Sequence, residues 1–351
     1  MPANLLTRTI LGAIAMTLVA SAVLTPSSTH AQSAADKVVV AHRGASGYLP
    51  EHTLPAKAMA YAMGAHYVEQ DVVMTQDDQL IVLHDTTLDR TTDVAEKFPG
   101  RARADGSHYV VDFTLAEIMT LRVTEGFNVE TGEKQLNYPN RFPMFASSFR
   151  INTLAEEIEM IQGLNHSTGK NIGIYPEIKS PAFHLSEGKD LGRAVVSVLK
   201  QYGYTSKDDL AYVQTFEFEE LKRLHDEILP ELGVELRLVQ LLDGGDENAW
   251  MQTADGVAQI AQYADGLGPE KGMIIDRDST KNNLRISGLV GFAHNNGLQV
   301  HPYTFRADEG QVPAYADSFE HMLELFYFTA DVDGLFTDFP DRAVDYLRGR
   351  Q

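Results

Sequence analysis

Eight short apolar runs recur along the chain, each ending in polar or conformationally special residues, and most are followed by a stretch with helical periodicity. They centre near positions 40, 69, 174, 212, 238, 266, 302 and 335. A strand that is apolar throughout is buried on both faces, the habit of parallel sheets, and parallel neighbours need a long crossover that a helix usually supplies. Eight such strand-then-helix units are expected to close into a (β/α)8 barrel, a TIM barrel. An open doubly wound sheet is the competing arrangement, and it would need fewer or differently ordered strands. With 351 residues the chain is long enough for a barrel with additions.

The first unit is the densest in chemistry. A Val-rich run from Lys37 to Ala41 stops at His42-Arg43-Gly44, and Thr53 is suited to cap a helix from Leu54 to Met63 with Gly64 as its stop. Tyr67 to Met74 is the next strand. Gln76-Asp77-Asp78-Gln79 is too short for a parallel crossover, so the following run to Leu83 must return as a hairpin. With Asp77 and Asp78 as a two-residue turn, the register sets Asp71 opposite His84, and alternation puts Glu69 and Asp71 on one face. Residues 86–152 lack periodicity, apart from a helical stretch at Thr114–Leu121. They are expected to form a small inserted subdomain after the second barrel strand, covering the mouth of a site. The barrel as a whole is expected over residues 36–350.

Active sites of such barrels form at the carboxyl ends of the strands. Reading only those ends yields His42 and Arg43, Glu69 and Asp71, Glu177 and Lys179, then Gln214, Tyr303 and Asp338, with His84 from the hairpin. Three carboxylates, Glu69, Asp71 and Glu177, with no Cys in the chain suit a hard divalent cation, Ca²⁺ first and Mg²⁺ second. His42 and His84 suit general acid and base work, because imidazole titrates near neutral pH. Arg43 and Lys179 suit phosphate oxygens. Gly44 and Gly47 would let backbone amides approach an anion. His166, His225 and His321 are read as surface residues. Together these residues point to metal-assisted phosphoryl chemistry without fixing a substrate.

Charge and composition narrow the partners. A formal charge of −20 repels nucleic acid and anionic membranes, so cations local to the site must overcome it for any anionic substrate. Residues 1–31 carry one Arg and no acid around an apolar core from Ile10 to Leu24, which reads as a secretory signal cleaved near Ala31. A periplasmic or secreted protein follows, and the absence of Cys means that no disulfide contributes to its stability. No stable membrane insertion is expected after cleavage, and the oligomeric state is open.

The segments HRGASGYLPEHT, VEQDVVMTQDDQLIVLHDTTLDRTT, PEIK and GLFTDFPD, in this order, resemble the glycerophosphodiester phosphodiesterase family from about Val38 to the C-terminus. The signal and long insertion resemble its larger periplasmic members. The resemblance implies a barrel that hydrolyses a small-molecule glycerophosphodiester, such as glycerophosphocholine or glycerophosphoethanolamine, to glycerol 3-phosphate and an alcohol. It implies Glu69, Asp71 and Glu177 as metal ligands, His42 and His84 as the acid/base pair, and Arg43 and Lys179 on the phosphate. It also implies attack by the substrate's own glycerol hydroxyl to give a cyclic phosphate. Glu51, Gln214, Phe216, Tyr303 and Phe305 are expected to line or support the pocket. One departure stands out: His52 occupies the place where the family's Pro-Glu-Asn-Thr motif has Asn. A receptor that captured such diesters would share the cations but would have little use for two His beside a metal.

Overall fold

A computed structural model of the chain describes Met1, residues 33–129 and residues 134–351. Apart from Met1, the expected signal over 1–31 lies outside these described residues.

The strands in chain order are β1 (Val38–Ala41), β2 (Tyr67–Met74), β3 (Leu80–Val82), β4 (Phe127–Asn128), β5 (Gln135–Leu136), β6 (Gly173–Ile178), β7 (Tyr212–Thr215), β8 (Arg237–Leu242), β9 (Gly266–Pro269), β10 (Gln299–Val300) and β11 (Gly334–Thr337). Eight of them run parallel in the order β10-β9-β8-β7-β6-β2-β1-β11. The two ends approach each other through Phe336 N–H to Pro302 O at 3.0 Å and Phe305 N–H to Phe336 O at 2.8 Å. The result is a nearly closed (β/α)8 barrel, and each of the eight expected runs supplies one strand.

Alternation along the strands sorts side chains into layers. Tyr67, Tyr175 and Tyr212 fill the interior, Tyr175 and Tyr212 stacking at 4.7 Å with Tyr67 edge-on to both. Two residues further along the same strands, Glu69, Glu177 and Gln214 form the next layer toward the carboxyl ends. Outward residues such as Val39, Leu267, Val300 and Leu335 pack against the surrounding helices, while Val68, Ile174, Val213 and Leu238 do the same on the other side. Burial of each such side chain contributes roughly 1.5–3 kcal/mol.

The helix Leu54–Met63 starts and stops as read, with the Thr53 side chain accepting from Ala56 N–H and Gly64 in the left-handed conformation. The sequence after the run near 266 reads as helical from about Lys281 to Asn295, but the helix there is shorter, Leu289–Asn295, because Asn282, Asn283, Ser287 and Gly288 are poor helix formers.

The hairpin register differs by one residue from expectation. Val72 pairs with Val82, Val73 with Ile81 and Met74 with Leu80, so Asp71 O accepts from Leu83 N–H and His84 is not its partner. The turn holds three residues, Gln76, Asp77 and Asp78. Asp78 alone among them has positive φ, +59°, whereas a two-residue type I′ turn needs two such residues. Thr75 secures the longer turn by donating to Asp77 and accepting from Gln79 N–H.

Residues 86–152 form short pieces: helical turns at Val94–Lys97, Val110–Asp112 and Leu115–Ile118, and the β4–β5 hairpin. Leu88, Val110, Phe113, Ile118, Leu121 and Phe149 gather with Val73 and Ile81 of the β2–β3 hairpin into a small core of their own. Short elements sharing one core leave no repeating pattern, which is why the segment had no readable period.

Candidate active site

The carboxyl ends of the strands open into a cavity of about 210 Å³ lined by His42, Arg43, Glu69, Asp71, His84, Glu177, Lys179, Gln214, Phe216 and Tyr303, among others. Ten of the thirteen side chains named for the site from the sequence therefore line this one cavity. Glu51 stands just behind, paired with Arg43 at 3.0 Å and with Arg90. Phe305 does not line the cavity. It is fully buried, edge-on to Phe326 in the barrel-helix core, because its backbone is committed to the closing seam with β11 and its side chain points outward. Gly44 and Gly47 also depart from expectation: their amides bond to Ala41 O and Asp338 O, leaving neither for an anion. Gly44 is needed for another reason, since its φ is +88° and a Cβ there would lie 2.8 Å from the Ala56 carbonyl carbon.

Glu69, Asp71 and Glu177 are buried and offer oxygens that all lie within 4.8 Å of one another. Parallel register makes this cluster, with Asp71 beside Glu177 and Glu177 beside Gln214. Glu69 accepts from Arg43 N–H at 2.7 Å and from Gln214 at 3.2 Å. Asp71 Oδ2 meets His52 Nε2 at 2.7 Å and Arg43 at 3.4 Å, while its Oδ1 is buried without a hydrogen-bond partner among the described residues. Glu177 pairs with Lys179 at 2.8 Å. Burial and the neighbouring Asp71 push Glu69 well above the usual carboxylate range. Burial, opposed by Lys179, pushes Glu177 up to about 8. Burial acts the same way on Asp71, but Lys179 and His52 outweigh it and hold this acid low. Crowded acids of this kind, one with an orphaned oxygen and all with hard donors, fit a divalent cation.

The two histidines are built alike. His42 Nδ1 lies 2.6 Å from Asp338 Oδ1, and Asp338 Oδ2 is held by Arg141 at 2.6 Å and Arg306 at 2.8 Å. His84 Nδ1 lies 2.5 Å from Asp85, which accepts from Arg90. A carboxylate on Nδ1 fixes the tautomer that leaves Nε2 as the working nitrogen. Burial, aided by Arg43, lowers both imidazoles to about 4, so both are neutral near pH 7. The cavity lining holds four cations, Arg43, Lys179, Lys271 and Arg306, and four carboxylates, the fourth being Glu270. A divalent cation would turn this balanced lining into one that favours an anion.

Sequence reading gave no role to Asp85, Arg90, Arg141 or Arg306, noted His52 only as a motif departure, and named Asp338 without a role. Asp85 and Arg90 lie in one of the quoted segments, but Arg141 and Arg306 come from stretches without pattern. His166 and His225 are exposed as expected, and His321 is half-buried.

Comparison with known proteins gives the arrangement its context. The Glycerophosphoryl diester phosphodiesterase family profile matches residues 42–342. A glycerophosphodiester phosphodiesterase of Haemophilus influenzae is 45% identical, covering 96% of this chain and 98% of its own. One of Treponema pallidum is 41% identical, covering 90% and 92%. Among solved structures, a phosphodiesterase of Oleispira antarctica in complex with the product sn-glycerol-3-phosphate superposes with a TM-score of 0.60 at 23% identity, covering 90% of this chain and 100% of that one. A putative glycerophosphoryl diester phosphodiesterase from Silicibacter pomeroyi gives 0.64 at 22% identity, covering 89% and 93%. Both share the barrel fold.

Proposed function

Because the chain belongs to the glycerophosphoryl diester phosphodiesterase family, we propose that it hydrolyses soluble glycerophosphodiesters, deacylated phospholipids such as glycerophosphocholine or glycerophosphoethanolamine, to glycerol 3-phosphate and an alcohol in a metal-dependent reaction. Phosphodiesterase activity of this class follows from the family and from relatives similar over nearly the whole chain. One observation carries the finer reading: three buried carboxylates converge beside two carboxylate-oriented histidines on one cavity.

Glu69, Asp71 and Glu177 would hold the cation, Ca²⁺ first and Mg²⁺ second, and it would neutralise charge on the phosphoryl oxygens. Arg43 and Lys179 bind the phosphate and keep it in line. One histidine takes the proton of the glycerol 2-hydroxyl as that oxygen attacks phosphorus. The other gives a proton to the departing alcohol, leaving a cyclic glycerol phosphate. Water then opens the cycle with the two roles reversed. An anionic diester beside two depressed imidazoles favours the protonated form that the acid partner needs.

Two measurements test this. Chelation is expected to abolish glycerol 3-phosphate release from glycerophosphocholine, and added Ca²⁺ or Mg²⁺ to restore it; release that survives chelation would exclude the metal. Asp338→Asn is expected to lower kcat roughly 10²-fold or more by misplacing the His42 proton, with KM little changed. A change confined to KM would count against the positioning role.

No helix among the described residues is long and apolar enough to cross a membrane. The signal-like residues 1–31 support export to the periplasm or beyond, where soluble diesters would be met.

A further inference from the structure

A second cavity, about 310 Å³, adjoins the first and shares His42, Arg43 and Arg306 with it. Its far side comes from the 86–152 segment, chiefly Arg90, Glu125, Asn137, Tyr138 and Arg141. A phosphodiester has two alcohol arms on opposite sides of phosphorus, and here two cavities meet beside the residues suited to hold that phosphorus. The first cavity contains the carboxylate cluster and the edge-on pair Phe216 and Tyr303, 5.8 Å apart, a suitable wall for the CH groups of glycerol. The second is then left for the arm that departs.

What the second cavity demands of a ligand can be read from its partners. Arg141 is engaged by Asp308 at 2.7 Å and Asp338 at 2.6 Å, Arg90 by Asp85 and Glu51, and Arg306 by Asp338. Glu125 is different. It is 4% exposed, no hydrogen bond or ion pair reaches its carboxylate among the described residues, and its Oε2 is buried without a partner. Burial, with Glu51 and Asp338 adding to it against Arg141, pushes this acid up to about 8. The guanidinium groups of Arg90, Arg141 and Arg306 thus each have carboxylate partners, and on this side of the cavity the unmet need is for a hydrogen-bond donor facing Glu125.

Resting on the function proposed above, we propose that this cavity receives the leaving alcohol and that Glu125 selects alcohols carrying a hydrogen-bond donor, a hydroxyl or a primary ammonium, over a quaternary ammonium. A choline arm has no N–H or O–H to offer, whereas glycerol and ethanolamine arms do.

The test is steady-state kinetics on glycerophosphoglycerol, glycerophosphoethanolamine and glycerophosphocholine with the metal-loaded enzyme, glycerophosphocholine serving as internal reference. At pH 9, where Glu125 with its value raised to about 8 is ionised, wild type is expected to favour the two donor-bearing diesters by roughly 10–100-fold in kcat/KM, the range for a hydrogen bond to a charged group. Glu125→Leu is expected to bring both ratios to about one through KM. Glu125→Gln, whose amide oxygen still accepts, is expected to keep the preference for the glycerol arm and lose that for the ethanolamine arm. Ratios unchanged in Glu125→Leu would overturn the assignment, as would a wild type with no preference. Failure of wild type to cleave any of the three diesters would overturn the proposed function itself.

Discussion

Replacing His42 or His84 with Ala is expected to lower kcat by roughly 10²–10⁴-fold, the range for losing a positioned acid or base. The double variant is expected to lose little more than the worse single one, because either loss already breaks the same proton relay. The geometry behind this is symmetrical: each ring is oriented through Nδ1 by a carboxylate, and each carboxylate is held by arginine. Neither histidine is among the carboxylate cluster suited to a cation, so metal content measured on the purified variants should match wild type. Near-normal turnover in either variant would remove that residue from the mechanism, and loss of metal would move it into the ligand set.

The largest expected effect on stability lies beneath the site. Lys57, on the helix Leu54–Met63, and Glu157, on the helix Leu154–Thr168, are both fully buried. Lys57 Nζ lies 3.0 Å from Glu157 Oε2, a contact between charges without hydrogen-bond alignment, while Asn152 donates to Oε1 at 2.8 Å. Lys57 also donates to the backbone carbonyl of Glu69, so it ties both helices to the strand that carries two of the acids. Lys57→Met is expected to cost about 3–5 kcal/mol, because it leaves Glu157 buried and alone. Lys57→Met with Glu157→Met should recover most of that loss, and urea midpoints would measure both.

The loss depends on pH with a definite sign. Burial already raises the Glu157 acid, and Lys57 is the main group opposing this. In the variant the folded state keeps a proton on Glu157 that the unfolded chain releases near the ordinary Glu value of about 4.3. The folded state then binds more protons, so stability falls as pH rises above that value toward the raised folded one. The Lys57→Met deficit should therefore be smaller at pH 5 than at pH 8. An equal deficit at both would show that Glu157 stays charged.

How far each feature was legible depends on the range of the interaction behind it. The eight strands follow from local apolar runs, and Glu69, Asp71, Glu177 and Lys179 follow from their position at strand ends. The hairpin register did not follow, since a turn of two or three residues is decided by whether Asp77 joins Asp78 at positive φ. Phe305, expected to line the pocket, stands two positions after Tyr303, which does line the cavity. The short β10 ends at Val300, however, and simple alternation fails beyond it.

The sequence by itself determined the barrel, through strand runs buried on both faces, and the chemical types collected at its mouth, through their place at strand ends. Both are properties of near neighbours in the chain. Only the tertiary structure decided which carboxylate serves which histidine, that Arg141 from 99 residues beyond His42 braces Asp338, and that Glu125 Oε2 is left without a partner among the described residues beside the site. Those outcomes rest on burial and on pairings across long stretches of chain, where charges are matched by geometry and no sequence spacing records the match.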